Sequence, residues 1–354
     1  MVETYMSKKP KHILVIRLSA MGDVAMTVPI IRQFVKQNQG VSITVLTRKL
    51  FEPFFRDIEN VKVYAADVKG KHKGISGLYK LSKELKELHL QDPLSSKIDA
   101  VADLHNVLRS KILKCFFRKE NFIQIDKGRA AKKALTTGKS FSQLKTTHQR
   151  YADVFEALGY KLDLSNPSFP KPAAMSDATL DVVKRDSIRW IGIAPFAAFK
   201  SKAYPLESME AVIEVLTRSH KVVLFGGGQK EETLLNAIAS KYENAVNLAG
   251  KLSISEEMDV ISNLDIMLSM DSGNAHIASM LGIPVVSLWG VTHPYAGFSP
   301  FNQPQEYALL ADRVKYPLIP SSIYGNKFPE GYENAIASIK PQDIVDKVES
   351  IILR

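Results

Sequence analysis

The chain is almost without cysteine. Cys115 is the single thiol among 354 residues, so no internal disulfide can form and the fold must be held by packing alone. Its neighbours, KILKCFFRK, are apolar and basic, which reads as a buried, inert thiol rather than a nucleophile. No run of about 18 uncharged apolar residues occurs, which excludes a hydrophobic spanning helix. The opening MVETYMSKKPKH has no apolar signal core, so the expected location is the cytoplasm. Motifs for metal-dependent or nucleophilic chemistry are missing too: HExxH, a Cys and His set at zinc spacing, a DxD pair, a GxSxG elbow and a GxxxxGK[ST] phosphate loop. Hydrolase and kinase classes lose their support, and no metal or cofactor is expected.

What is there suits a globular enzyme or binding protein of two domains. A chain of 354 residues exceeds the size at which one hydrophobic core usually keeps growing. Hydrophobic residues make up 45% and charged residues 24%, ordinary values that argue against disorder. The net charge of +10 is unevenly spread: Asp67 to Arg150 holds 19 Lys or Arg against 8 Asp or Glu, which accounts for all of it. Such a stretch suits anionic partners, whether phospholipid headgroups, phosphorylated saccharides or nucleic acid. It reads equally as a solvated face.

Apolar β-branched runs alternate with segments of helical spacing along the whole chain. His12 to Leu18 reads as a strand, Ser19 to Gly22 as a loop and Asp23 to Gln37 as a helix. Strands at 41–47, 61–64, 100–103 and 122–125 and helices at 75–90 and 107–117 continue the pattern. Three prolines between Asp163 and Ala174 mark a linker. Strands at 188–194, 222–225, 266–269 and 285–288 follow, with helices from about 206, 229, 255 and 274. This alternation predicts an α/β protein with two doubly wound, Rossmann-like parallel-sheet domains at residues 1–165 and 166–340. A terminal helix over 341–354 is expected to pack back on the first domain. Ligand sites of such sheets lie at the carboxyl ends of strands, hence in the cleft between the domains.

The loops at those ends carry the candidate chemistry. Ser19, Gly22 and Asp23 follow the first strand; only one glycine of a GxGxxG fingerprint is present, so a nicotinamide site is disfavoured. Asp23 stands at a strand-to-helix turn, where Asp is also an ordinary N-cap. Gly226 and Gly227 precede a helix start suited to phosphate, or form a plain tight turn. Glu231 and Glu232 can accept from ribose hydroxyls or merely offset the helix dipole. Asp271, Ser272, Gly273 and His276 sit where a strand leads into a small-residue helix, a natural pocket for a phosphorylated ligand. His276 alone reads as a core residue. Lys200 and Lys202 follow the strand WIGIAP, placed to meet a leaving diphosphate.

Taken together, ILVIRLSAMGDVAMTVPIIRQF and DSGNAHIASMLGIPVVSLWGVTHP resemble glycosyltransferase family 9, the ADP-heptose lipopolysaccharide heptosyltransferases. Arg17, Ser19, Gly22 and Asp23 match its R-x-S-x-x-G-D motif, and Asp271, Ser272, Gly273 and His276 match D-S-G-x-x-H. NLAGKLSISE, FGGGQKEE and DLHNVLRS also look like family segments. The resemblance implies a GT-B architecture, with the acceptor domain first and the nucleotide-sugar domain second, and inversion without an obligatory metal. It assigns Asp23 as general base and Lys202 to the departing diphosphate, with Lys200 as the fallback. Ser272, Gly273, Asp271, His276, Glu231, Gly226 and Gly227 fall to the donor side, and Ser19, Gly22 and Arg109 to the acceptor side. Asn274 and the aromatic loop FAAFKSKAYP depart from the family's usual residues, which bears on the donor sugar.

The function implied is heptosyl transfer from ADP-heptose to a lipopolysaccharide core or related lipid-linked saccharide. The enzyme would stay peripheral at the inner face of the inner membrane, with its basic half turned to anionic lipid. Alternatives are the same fold acting on another nucleotide sugar, and a non-catalytic nucleotide-sugar-binding protein, which the intact Asp23 disfavours. A nucleic-acid partner fits the charge but no recognisable module, and none is expected.

Overall fold

The structure is a computed structural model that describes residues 9–91, 96–184 and 187–353. The amino-terminal segment read for a signal core lies largely outside the described residues. The chain divides into two compact units, residues 1–127 with 147–168, and residues 128–146 with 169–354.

The first unit opens with β1 (His12–Ile16), α1 (Met21–Ala25), α2 (Val28–Gln37), β2 (Ser42–Thr47), β3 (Val61–Ala65) and α3 (Gly74–Gln91). It continues through β4 (Ala100–Asp103), α4 (Leu108–Phe116) and β5 (Asn121–Gln124). All five strands are parallel in the order β3-β2-β1-β4-β5. Every residue of β1 is buried, as a central strand covered on both faces requires. Leu14, Ile16, Leu46, Leu81, Leu85 and Leu113 pack in one cluster. The single helix expected over 23–37 is two, because Pro29 lacks an N–H and fits only in the first turn of a new helix. Cys115, read as buried, is exposed on α4.

After β5 the chain forms α5 (Arg129–Thr136), which groups with the second unit, and α6 (Thr147–Ala157), which belongs to the first. Residues 128–146 therefore lie outside the unit to which the sequence assigned them. The buried Lys132 has its ammonium 4.1 Å from the centre of the Phe298 ring, so it is not part of a solvated basic face.

The second unit comprises α7 (Asp177–Val183), β6 (Trp190–Ala194), α8 (Leu206–Leu216), β7 (Lys221–Leu224), α9 (Gln229–Ala239) and β8 (Ala245–Asn247). Then come α10 (Ile254–Ile261), β9 (Ile266–Met270), α11 (Gly273–Met280), β10 (Val285–Trp289), β11 (Ala308–Leu310) and α12 (Pro341–Ile352). Its six parallel strands run β11-β10-β9-β6-β7-β8. The terminal helix α12 packs on α8, and its Ile344, Val345, Val348 and Ile351 join the second unit's core. His220 adds a bond from Nε2 to the Glu349 carboxylate at 3.0 Å. The apolar stripe of α12 meets the nearest uncovered apolar surface, which the second sheet supplies.

Each sheet reverses its winding once. In the first the chain departs from β1 toward β2 on one side and β4 on the other; in the second, β6 is flanked by β7 and β9. Loops leaving the carboxyl ends of these neighbouring strands diverge and leave room for a ligand.

Candidate active site

In the first unit, parallel register sets Ile16 of β1 beside Asp103 of β4. The next residues of both strands therefore emerge together. The buried Arg17 donates from Nη1 to the Leu104 carbonyl at 2.6 Å, and its Nη2 lies 2.7 Å from Asp23 Oδ2. That same Oδ2 accepts the Ala20 N–H at 3.2 Å. Asp23 is thus not the N-cap; Ala20 occupies that position and Asp23 reaches back from the third residue of α1. Among the described residues Oδ1 has no protein partner, and the side chain is 30% exposed. A carboxylate held by one oxygen and open at the other can accept a proton from a bound hydroxyl.

The neighbouring loop is fixed by Asp103. Its Oδ1 accepts the N–H groups of His105 and Asn106 at 3.0 and 2.9 Å, and its Oδ2 accepts from Gln124 Nε2 at 2.8 Å. Asn106 turns the chain with φ of 44°, a left-handed conformation that Asn tolerates better than most residues. Burial, with the nearby Arg17 charge, pushes the His105 imidazole down to about 4, so it is neutral at pH 7. Its Nδ1 is buried without a hydrogen-bond partner among the described residues. From α6, the fully buried Tyr151 donates to the Asp23 carbonyl at 3.3 Å. Ser19 lies half-buried in the loop after β1, while Gly22, expected in that loop, is half-buried in the first turn of α1; Arg109, near the start of α4, makes no ion pair among the described residues.

In the second unit the loops after β6 and β9 meet. Lys202 ends a short 3-10 turn, Lys200–Lys202, and its ammonium lies 2.9 Å from Asp271 Oδ2. Thr292 Oγ1 donates to that same oxygen at 2.9 Å. Gly325 packs against the Lys202 stem: with φ of +83°, a Cβ there would come within 2.5 Å of Lys202 Cδ. Asp271 is 8% exposed, and a buried carboxylate needs such a counter-charge. Lysine has three donors, so two remain after the bond to Asp271. Lys200, by contrast, is exposed.

Directly after Asp271 comes Ser272, the N-cap of α11. Its hydroxyl pairs with Ser269 Oγ at 3.0 Å and does not cap the helix. Among the described residues no side chain caps the first amides of α11, which begin at Gly273, and amides at a helix start can receive an anion. His276 is buried on the same helix at 7% exposure. The loop after β7 is partly occupied by its own helix: Gly227 N–H donates to Glu231 Oε2 at 2.7 Å. One amide and one carboxylate oxygen expected to face a ligand are therefore already paired. Glu232 packs on Gly250, where a Cβ would lie 2.7 Å from its Oε2.

Sequence reasoning did not single out Tyr151, Asp103 or His105. Tyr151, Val154, Phe155 and Leu158 do recur at helical spacing, which could have revealed α6. That Tyr151 meets the Asp23 loop has no local signal.

Residues 88–317 match the family described as glycosyltransferase family 9 (heptosyltransferase). A lipooligosaccharide heptosyltransferase 2 of Haemophilus influenzae is 28% identical over 171 residues, spanning 46% of this chain and 47% of that protein. The chain thus matches about half the length of that relative. The lipopolysaccharide core heptosyltransferase OpsX of the same organism is 22% identical over 84% of this chain and 83% of its own. Among solved structures, a family 9 glycosyltransferase of Veillonella parvula superposes with a TM-score of 0.73 at 19% identity, covering 97% of both chains. The ADP-heptose lipopolysaccharide heptosyltransferase II of Escherichia coli gives 0.67 at 19%, covering 97% of this chain and 98% of that one. The structural likeness bears out the fold read from the sequence, two parallel-sheet α/β domains of the GT-B class.

Proposed function

The chain belongs to glycosyltransferase family 9, and from that premise we propose that it is an inverting transferase moving a heptosyl residue from ADP-heptose onto a lipopolysaccharide core or related lipid-linked saccharide. The observation that carries this reading is the Asp23 carboxylate, anchored through Oδ2 by Arg17 and the Ala20 amide with Oδ1 open. In the proposed step an acceptor hydroxyl attacks the anomeric carbon from the face opposite the diphosphate. Its proton passes to Asp23 Oδ1, the bond from the anomeric carbon to the diphosphate oxygen breaks, and ADP leaves. The first unit takes the acceptor and the second the donor.

On the donor side, the unspent amides at the start of α11 suit the diphosphate, and Lys202 offsets the negative charge that grows on the leaving oxygen. Asp271 holds Lys202 in place, and Glu231 Oε1 is left to accept from ribose. Names of the relatives support the sugar and the acceptor class: they are heptosyltransferases of lipopolysaccharide or lipooligosaccharide, and one structural neighbour is named for ADP-heptose. No described helix is long and apolar enough to cross a membrane, which is compatible with peripheral work at the inner leaflet.

Incubation with ADP-heptose and a purified core acceptor should release ADP and add one heptose to the acceptor by mass. Turnover only with a different nucleotide sugar would replace the donor while keeping the mechanism; that second reading draws on Phe199, 40% exposed beside the Lys200–Lys202 turn. Donor binding with no transfer to any acceptor would overturn the enzymatic reading.

A further inference from the structure

Within the second unit, two segments far apart in sequence build an apolar and basic patch. The turn after α5 and the loop after β11 line a cavity of about 480 Å³, with Leu135, Phe141, Arg313, Leu318 and Phe328 among its walls. Arg313 staples the segments together: its guanidinium stands 3.6 Å from the centre of the Phe141 ring, and its Nε donates to the Ile319 carbonyl at 2.8 Å. Large apolar side chains nevertheless point to solvent here. Val314 is 93% exposed, Leu318 61% and Phe328 37%. Residues 135–141 and 312–329 hold four cations, Lys139, Arg313, Lys315 and Lys327, against one acid, Asp312. Asp312 is itself exposed, but its Oδ1 is engaged by its own loop, accepting the Val314 N–H at 2.7 Å.

Exposed apolar side chains among cations that outnumber the acids, Asp312 within these segments and Glu330 just beyond them, suit one kind of surface. Apolar groups enter the boundary between headgroups and acyl chains while the cations meet lipid phosphates. We propose that this patch of the second unit, centred on Val314, Leu318 and Phe328 and ringed by Lys139, Lys315 and Lys327, is where the protein seats on an anionic phospholipid bilayer. The inference rests on the reading that the acceptor is lipid-linked, which requires the enzyme to work at a membrane surface. It moves the contact away from the basic stretch of the first unit and gives it an apolar component that charge alone would lack. A protein partner is the less favoured occupant, since the patch carries an excess of positive charge, four cations against Asp312 and the neighbouring Glu330, where a protein interface core is depleted of charge.

The test is co-sedimentation of the full chain with vesicles of phosphatidylglycerol and phosphatidylethanolamine in equal parts, beside vesicles of phosphatidylcholine alone. Wild type should bind the first and not the second. The double variant Val314→Ser/Leu318→Ser should bind several-fold less at every salt concentration. Lys315→Glu/Lys327→Glu should lose roughly tenfold or more at low salt. Both variants alter exposed side chains, so melting temperature, ADP affinity and transfer to a delipidated acceptor should stay at wild-type values. Wild-type binding by the Ser variant, or equal binding to neutral vesicles, would overturn the proposal. So would self-association of wild type that the Ser variant abolishes, because the occupant would then be a second copy of the chain. Loss of vesicle binding by the variants, in a protein that transfers no sugar, would leave the membrane surface standing and remove only the transferase reading.

Discussion

The Arg17 guanidinium joins Asp23 Oδ2 at 2.7 Å and the Leu104 carbonyl at 2.6 Å. One buried side chain thereby ties the loop after β1 to the loop after β4. Anchoring by a single oxygen fixes the plane of the Asp23 carboxylate and reserves the other oxygen for chemistry, which is what a proton acceptor in a transfer reaction requires.

Replacing Asp23 by Asn keeps the shape and removes the base. Turnover should fall about a hundredfold to ten-thousandfold, with ADP affinity and melting temperature little changed. Arg17→Gln should lower kcat as well, through a misplaced carboxylate. Near wild-type turnover in Asp23→Asn, measured by ADP release, would reduce Asp23 to a helix-terminus ligand of the Ala20 amide.

Lys202→Met leaves the buried Asp271 carboxylate with Thr292 as its side-chain partner among the described residues. We expect a loss in kcat of about a hundredfold or more, the scale seen when one donor to a developing charge is removed, together with a lower melting temperature. Lys200→Met, altering an exposed side chain, should cost far less. Equal losses in the two variants would show that the loop rearranges around the donor.

The proposed chemistry takes its stabilising charge from Lys202 and helix amides. Activity should therefore persist after exhaustive chelation with EDTA. Complete loss that magnesium or manganese restores would require a cation bridging the diphosphate and would reassign Lys202 to holding Asp271.

Ile344, fully buried in α12, is expected to support the second unit alone. Ile344→Ala should destabilise by about 2–5 kcal/mol, the usual range for emptying such a site. Denaturant melts followed by Trp190 and Trp289, both in the second unit, should register the loss. An unchanged midpoint would mean that α12 contributes little to that core.

Burial pushes the Glu257 carboxyl up to about 7 from 4.5. The folded state then holds a proton that the unfolded chain releases, so stability is greatest at low pH and is lost as pH rises between those two values. Glu257→Gln removes this dependence. Its melting temperature should match wild type near pH 4.5 and exceed it increasingly up to about pH 7, levelling off above; a constant gap across that range would reject the account.

Alternation of β-branched runs with helical spacing determined both parallel sheets, because strand and helix periods are local properties of the chain. Asp271, expected just beyond a strand, directly follows β9, whereas Asp23, read at a strand-to-helix turn, is the third residue of α1. Short edge strands β8 and β11, three residues each, were not legible, since so brief a run carries no period. Only the tertiary structure decided that α5 and α12 pack with the second unit, that Tyr151 supports the Asp23 loop, and that Lys202 rather than Lys200 reaches Asp271. Those outcomes depend on which surfaces meet across long stretches of chain. An amphipathic helix specifies that one face must be covered, and the rest of the fold supplies what covers it.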